Sequence, residues 1–115
     1  MLARMRRLEV SQLTLTQADR GKSLEAHQDD VIIVRLPENP TTGYRWAIED
    51  VDEEILEPEE SDFSLSPDAG IGGGGERKLS FRAKRAGIAH LELKLARSWE
   101  ESADIDRYGV TIHVR

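Results

Sequence analysis

Apolar and polar residues alternate over several stretches of the chain, which is the pattern of a β-strand that buries one face. The clearest stretch runs from Ile88 to Ala96, where three leucines alternate with a histidine, a glutamate and a lysine. The same period predicts three more strands, at Tyr108 to Arg115, Lys78 to Ala83 and Tyr44 to Asp50. Trp46 falls on the apolar side of the last of these and is expected in the core.

Four further stretches complete an all-β chain. Val31 to Leu36 is apolar at nearly every position, which predicts a central strand covered on both faces. Shorter strands are expected around Leu8 to Thr16, near Ser23 to Ala26 and near Phe63. Turn signals separate these stretches, and no segment has sustained helical spacing. We therefore predict an immunoglobulin-like antiparallel β-sandwich of about seven strands, with residues 1–115 as a single domain.

The acidic run from Glu49 to Glu60, which contains Pro58, allows two interpretations. Clustered carboxylates can bind a metal, but charge and proline also protect the free edge of a sheet. We interpret the run as a solvated edge or connection. No metal ion or other cofactor is expected, because the histidines are scattered without ligand spacing, at His27, His90 and His113.

Composition narrows the class of protein. A net charge of -6 argues against nucleic acid or an anionic membrane as partner, since both would repel the chain. The absence of cysteine excludes a disulfide, thiol catalysis and thiolate metal sites. An enzyme is not expected, because no nucleophile, base and orienting group can be assembled near one turn. No signal peptide or bilayer-spanning stretch is evident, so we expect a soluble protein, cytoplasmic, or periplasmic or secreted if a leader was trimmed.

Strand parity predicts which connections lie together. In an up-and-down sandwich every second connection leaves the same end. With the short stretch Ser23 to Ala26 left out of the count, the connections that follow Val31 to Leu36, the strand near Phe63 and Ile88 to Ala96 should meet there. The unusual local sequence of this chain falls on those three connections: Asn39 to Gly43, Gly70 to Gly75, and Arg97 to Trp99.

The first of these connections reads Asn-Pro-Thr-Thr-Gly, from Asn39 to Gly43. Pro40 fixes its own φ and favours an extended Asn39, whereas Gly43 permits a positive φ before the next strand. Alone, the segment would be a well-formed turn. It is not a glycosylation site, because proline follows the asparagine.

The other two connections each have a structural and a functional interpretation. Gly70 to Gly75 matches G-x-G-x-x-G by letter, but it precedes a strand instead of opening a helix, which excludes a dinucleotide site. It is either a flexible loop or a bare backbone that can approach another surface closely. Arg97-Ser98-Trp99 places a tryptophan among polar residues just past a strand, which is typical of a protein-binding hot spot.

Together these segments resemble those of the chagasin family, the immunoglobulin-like inhibitors of papain-like cysteine peptidases. That family carries, in this order, Asn-Pro-Thr-Thr-Gly before an aromatic residue, Gly-x-Gly-Gly, and Arg-Pro-Trp or Arg-Pro-Phe. The first motif is complete here with Tyr44. The second is matched best by Gly72 to Gly75, although Gly70 to Gly73 also fits. The third has Ser98 where the family has proline, which is expected to loosen that loop.

The resemblance, which spans Val31 to Arg115, implies a reversible, non-covalent inhibitor of papain-like (clan CA, family C1) cysteine peptidases. It implies that the Thr41-Thr42 backbone covers the catalytic cysteine, with the glycine loop on the non-primed side and Trp99 on the primed side. Arg97 would either orient Trp99 or meet a carboxylate of the peptidase. The peptidase is then the partner of a monomer that binds neither nucleic acid nor membrane. The peptidase-binding residues that the resemblance implies are Asn39, Pro40, Thr41, Thr42, Gly43, Tyr44, Gly72, Gly73, Gly74, Gly75, Arg97, Ser98 and Trp99.

An alternative is a generic immunoglobulin-like binding or adhesion module whose loops recognise a different protein or a carbohydrate. It explains a sandwich with an exposed tryptophan, but it gives no reason for the three motifs to occur together.

Overall fold

A computed structural model describes residues 11–65, 74–97 and 104–115. Within these ranges the chain forms eight strands, two short 3₁₀ turns and no α-helix. The strands are β1 (Gln12–Leu15), β2 (Ser23–Ala26), β3 (Val31–Glu38), β4 (Tyr44–Val51), β5 (Leu56–Leu65), β6 (Gly75–Ala83), β7 (Gly87–Arg97) and β8 (Asp106–Val114).

The strands form two four-stranded sheets, with the orders β1-β3-β6-β5 and β2-β8-β7-β4. Four of the six neighbouring pairs are antiparallel, and the predicted immunoglobulin-like sandwich is confirmed. The outer pairs β1-β3 and β2-β8 are parallel, which the sequence pattern did not predict. They arise because the N-terminal part of the chain adds one short strand to each sheet, crossing between the sheets at residues 16–22.

The core lies between the sheets and is made of apolar residues of the predicted strands together with Leu56, which is fully buried although it falls in the acidic run. The largest fully buried side chains are Trp46, Tyr108 and Phe81, so the core position predicted for Trp46 is confirmed. Burying each such ring stabilises the fold by roughly 1.5–3 kcal/mol. Both sheets contribute side chains to this core. The packing between them therefore fixes how the strand ends of one sheet lie against those of the other.

One prediction about the core is wrong. β3 was expected to be covered on both faces, but only Ile32, Val34 and Leu36 are fully buried among its apolar residues, whereas Arg35 is exposed. Val31 and Ile33 are half-buried on the outer face of the sheet. The dense apolar run therefore reflects a strand in the middle of its sheet, with one face still accessible to water.

The acidic run covers the end of one edge strand, β4, the start of another, β5, and the turn between them, as the interpretation of an edge or connection predicts. β5 begins inside the run and lies at the edge of its sheet, while residues 52–55 form the turn before it. Pro58 is tolerated because an edge strand has one unpaired side, and the register shifts between Pro58 and Glu60. Arg82 of β6 reaches across to Glu57 at 2.8 Å, which pairs part of the acidic charge.

In the ranges 11–65, 74–97 and 104–115 there is no helix of the length and apolar character needed to cross a membrane.

Candidate functional site

The strand registers place three connections at one end of the sandwich. In the first sheet, Gly75 at the start of β6 pairs with both Glu38 at the end of β3 and Leu65 at the end of β5. In the second sheet, Tyr44 at the start of β4 pairs with Arg97 at the end of β7. The connection from β3 to β4 runs from the first sheet to the second, so these strand ends lie at the same end of the sandwich. This confirms the common end that strand parity predicts. We call this the loop end.

The loop from Asn39 to Gly43 is folded into a 3₁₀ turn over Pro40–Thr42. Asn39 is extended, with φ of -113° and ψ of 109°, as expected for a residue before proline. Its side-chain Oδ1 accepts hydrogen bonds from the backbone N–H of Thr41 at 3.0 Å and from the Thr41 hydroxyl at 2.7 Å. The asparagine therefore caps the turn, while Pro40 opens it at a position where no N–H is needed.

Thr42 and Gly43 close the loop onto itself. The Thr42 hydroxyl donates to the Asn39 carbonyl at 2.8 Å and accepts from the Tyr44 N–H at 3.3 Å. Gly43 donates its N–H to the Pro40 carbonyl at 3.2 Å and has a φ of 81°, in the left-handed region. Both threonine hydroxyls are thus engaged within the loop, although Pro40, Thr41 and Thr42 are exposed. The loop is exposed and internally tied.

A buried ion pair lies directly beneath this loop. The Glu38 carboxylate receives two hydrogen bonds from Arg77, from Nη2 at 2.8 Å and from Nε at 3.2 Å. The side chains of Glu38 and Arg77 are only 2% and 9% exposed. The carboxylate also accepts the backbone N–H of Trp46 at 2.7 Å, and the Trp46 indole N–H donates to the Pro37 carbonyl at 2.9 Å. These contacts fix both ends of the loop to the core.

Sequence reasoning missed this pair, although strand parity gives a signal for it. Glu38 continues the buried series of β3, two residues after Leu36, and Arg77 precedes Leu79 in the buried series of β6. Two opposite charges on buried positions of two strands indicate a buried ion pair when those strands are neighbours. The sheet order shows that β3 and β6 are neighbours, and the sequence pattern does not contain that information.

Arg97 links two of the predicted loops. Its Nε donates to the Thr42 carbonyl at 3.1 Å, and its guanidinium lies over the Tyr44 ring at 4.3 Å from the centroid. The end of β7 is therefore tied to the Asn39–Gly43 loop by both a hydrogen bond and a cation–π contact. Arg97, Tyr44 and the loop form one unit.

The structure divides the predicted glycine motif. Gly75 belongs to β6 and is buried: a Cβ there would lie 2.6 Å from the Phe63 ring and 2.9 Å from Leu65 Cα, and would also collide with the Ser64 carbonyl. Gly75 therefore allows the close approach of β5. Gly74 lies just outside the strand, where a Cβ would be 3.4 Å from the Glu38 carbonyl.

The remaining predicted site residues lie outside the described residues. They are Gly72, Gly73, Ser98 and Trp99.

Arg20 anchors the β7–β8 connection at the end where β8 begins. Arg20 itself lies in the crossover between β1 and β2. Arg20 binds both carboxylate oxygens of Asp106, at 3.0 and 3.1 Å. This hydrogen-bonded guanidinium lowers the pKa of Asp106 below its ordinary value, against the opposing effect of burial. Immediately before it, the Ile105 N–H donates to the Leu95 carbonyl at 2.8 Å. Arg20 was not singled out from the sequence.

By its fold the molecule belongs to the immunoglobulin-like β-sandwich proteins, with a tied loop and the roots of two further connections at one end. A sequence model described as "Chagasin family peptidase inhibitor I42" matches residues 25–114, and the chain belongs to this family. The chain is accordingly a peptidase inhibitor and not an enzyme, as predicted.

Two relatives and one complex illustrate the likeness. Chagasin of Trypanosoma cruzi is 32% identical over 103 residues, covering 84% of this chain and 92% of the relative. The crystal structure of the cysteine protease inhibitor EhICP2 from Entamoeba histolytica has a TM-score of 0.84 at 20% identity, covering 93% of this chain and 98% of that one. PbICP-C, solved in complex with falcipain-2, has a TM-score of 0.57 at 16% identity, covering 93% and 92%. The two structural likenesses concern the fold.

Proposed function

We propose that this single domain inhibits papain-like cysteine peptidases reversibly and without covalent chemistry, by filling the active-site cleft with its loop end. Membership of the chagasin family supports the class of target. The complex of PbICP-C with falcipain-2 supports binding of a peptidase by a domain of this fold. The finer assignment, to the residues of the loop end, rests on the hydrogen bonds within the Asn39–Gly43 loop and on the contacts of Arg97.

The observation that carries the proposal is the internal hydrogen bonding of the Asn39–Gly43 loop. Three successive N–H groups, those of Thr41, Thr42 and Gly43, are satisfied inside the loop, and the Thr42 carbonyl is held by Arg97. A peptide substrate must lie extended and deform as the nucleophile attacks. A loop tied in this way is presented in a fixed, non-extended shape, so it can occupy the cleft and remain uncut.

The proposed arrangement assigns each predicted segment a place. The Thr41-Thr42 backbone covers the catalytic cysteine, Gly72 to Gly74 lie along the non-primed side, and Trp99 packs on the primed side. Arg97 acts from inside the inhibitor, because its contacts with Thr42 and Tyr44 favour an orienting role over a contact with a peptidase carboxylate. Gly75 shapes the sheet beneath the glycine loop.

A loop tied by its own hydrogen bonds, as Asn39–Gly43 is, loses little conformational entropy when it binds. An interface of standard size buries roughly 800 Å² on each partner, and protease–inhibitor pairs of that size are among the tightest known. We therefore expect an inhibition constant in the nanomolar range or below.

Titration of active papain or cathepsin L with the purified protein tests the proposal. We expect stoichiometric loss of activity at nanomolar enzyme, full recovery after dilution or removal of the inhibitor, and an intact inhibitor chain by mass spectrometry. Undiminished activity at micromolar inhibitor would defeat the proposal. Time-dependent cleavage within Asn39–Gly43 would instead show that the loop is a substrate.

A further inference from the structure

Three large apolar side chains stand exposed among residues 11–65, 74–97 and 104–115. They are Leu65, Ile105 and Ile88, which are 65%, 60% and 55% exposed. Single exposed apolar residues are common on protein surfaces and need no explanation by themselves. The position of these three in the fold separates two of them from the third.

Leu65 and Ile105 both lie at the loop end, on opposite sheets. Leu65 is the last residue of β5 and pairs with Gly75, which also pairs with Glu38 directly before the Asn39–Gly43 loop. Ile105 precedes β8, and its N–H binds the carbonyl of Leu95, two residues before the end of β7. The two side chains therefore flank the loop end, one at the root of the β5–β6 connection and one at the root of the β7–β8 connection.

Ile88 lies at the opposite end of the sandwich. It is the second residue of β7 and pairs with His113, near the end of β8. Ile88 and Leu95 are seven positions apart along β7, which is about 24 Å at the usual rise of a strand. Ile88 resembles Ile105 in chemistry and exposure, but it cannot touch a partner bound at the loop end.

The backbones that carry Leu65 and Ile105 are held in place. Leu65 is paired within the sheet, and Gly75 opposite it leaves no room for a side chain. Ile105 is fixed by its own hydrogen bond to Leu95 and by the clamp of Arg20 on the next residue, Asp106. Apolar side chains on such fixed positions contribute to binding with little ordering cost.

We propose that Leu65 and Ile105 are additional contact residues for the inhibited peptidase, outside the three family motifs. They lie on either side of the loop end, so they fit a partner whose cleft has apolar surface on both walls. This inference rests on the proposed function, because it takes the cleft of a papain-like peptidase as the occupant of the loop end.

A second copy of this chain is the competing occupant. Two side chains on opposite sheets offer far less than the roughly 800 Å² per partner that a stable interface needs. A peptidase cleft would also take up the Asn39–Gly43 loop and thereby gain further contact area, which favours a peptidase as the occupant.

Matched substitutions test the inference. Leu65→Thr, Ile105→Thr and Ile88→Thr each replace an exposed apolar side chain by a polar one with high strand propensity, so all three variants should fold. The inhibition constant against papain should rise about fivefold or more for Leu65→Thr and for Ile105→Thr, which is the loss of about 1 kcal/mol that only a minority of interface residues reach on truncation. Ile88→Thr should stay within about twofold of the parent protein.

The outcomes separate this inference from the proposed function. If the parent protein inhibits papain and all three variants inhibit equally well, Leu65 and Ile105 are not contacts and only this inference fails. If the parent protein does not inhibit, both proposals fail together. The parent protein could instead sediment as a dimer, with Leu65→Thr or Ile105→Thr converting it to a monomer. That result would assign the surface to a second copy and overturn the inference.

A direct reporter avoids any dependence on activity. The chain has no cysteine, so Leu65→Cys, Ile105→Cys and Ile88→Cys each offer a unique thiol for a polarity-sensitive maleimide dye. Papain blocked at its catalytic thiol should shift the emission of the dye to the blue at positions 65 and 105 and leave it unchanged at position 88. Unchanged emission at positions 65 and 105 in a complex shown to form would contradict the inference.

Discussion

At the scale of single residues, the shape of the tied loop depends on Gly43. Its φ of 81° ends the 3₁₀ turn and redirects the chain into β4. A Cβ at this φ crowds the following carbonyl, so any other residue strains the loop or changes its path. The same residue sets the direction of Tyr44, whose ring receives the guanidinium of Arg97.

Gly43→Ala should therefore lower the free energy of unfolding by about 1 kcal/mol and weaken inhibition of papain. Urea denaturation measures the first effect and inhibitor titration the second. Gly109→Ala is the matched control, because a Cβ there would meet only ordinary contacts at 3.9 Å, from Glu92 Cγ and the Leu91 carbonyl. Similar losses in both variants would show that the left-handed backbone at position 43 is not the cause.

At the scale of strands, the Glu38–Arg77 pair determines how β3, β4 and β6 meet under the loop end. One carboxylate binds the guanidinium of β6 and the backbone N–H of Trp46 in β4. Arg77 also lies over the Phe63 ring of β5, at 5.6 Å from the centroid. A buried charge that loses its partner is costly, because the remaining charge is left without water or a counterion.

Glu38→Gln should lower the free energy of unfolding by about 3 kcal/mol, since it leaves the Arg77 charge buried and uncompensated. Glu76→Gln removes the carboxylate that Arg35 binds at 2.8 Å, but those side chains are 41% and 48% exposed. Glu76→Gln, the control, should lower the free energy of unfolding by less than about 1 kcal/mol. Chemical denaturation of both variants gives the comparison, and equal losses would mean that the buried pair is not special.

At the scale of the whole molecule, the Arg20–Asp106 clamp makes stability depend on pH in a defined direction. The guanidinium lowers the pKa of Asp106 from its ordinary value of 3.8 in the folded protein. The neighbouring Asp104 has a lowered pKa as well, chiefly through its hydrogen bond from Arg107. Groups of this kind stabilise the fold above the unfolded pKa and lose that contribution as pH falls through the folded pKa.

The difference in melting temperature between the parent protein and Asp106→Asn should accordingly stay constant between about pH 7 and pH 5. It should shrink below pH 3.8, where the carboxylate of the parent protein becomes protonated in the unfolded and then in the folded state. Differential scanning calorimetry over this range measures it. A difference that persists unchanged at about pH 2 would exclude the ion pair as its source.

How much of the molecule the sequence predicts varies with the kind of interaction. Strands such as β7 are evident because Leu91 and Leu93 alternate with charged residues, and this local period survives in the folded state. Val31 and Ile33 misled the prediction, since an apolar side chain on the outer face looks like one in the core. The Glu38–Arg77 pair depends on which strands are neighbours, and no local pattern contains that information.

The candidate site divides in the same way. The Asn39–Gly43 turn could be predicted from Pro40 and Gly43, because its determinants lie within five adjacent residues. The role of Arg97 depends on a contact with Thr42, 55 residues away. Leu65 and Ile105 do carry a weak signal, since each is an isolated apolar residue between polar neighbours, but only the fold shows that both lie at the loop end.

The direction of β8 has a practical consequence for attaching the protein to a surface. The strand starts beside the β7–β8 connection at Asp106 and runs to Val114, about 27 Å away at the rise of a strand. Arg115 therefore marks a point far from the Asn39–Gly43 loop. An affinity tag, a fluorescent reporter or a bead coupled there should leave the loops facing outward, so immobilised protein should capture peptidase from solution as effectively as free protein binds it.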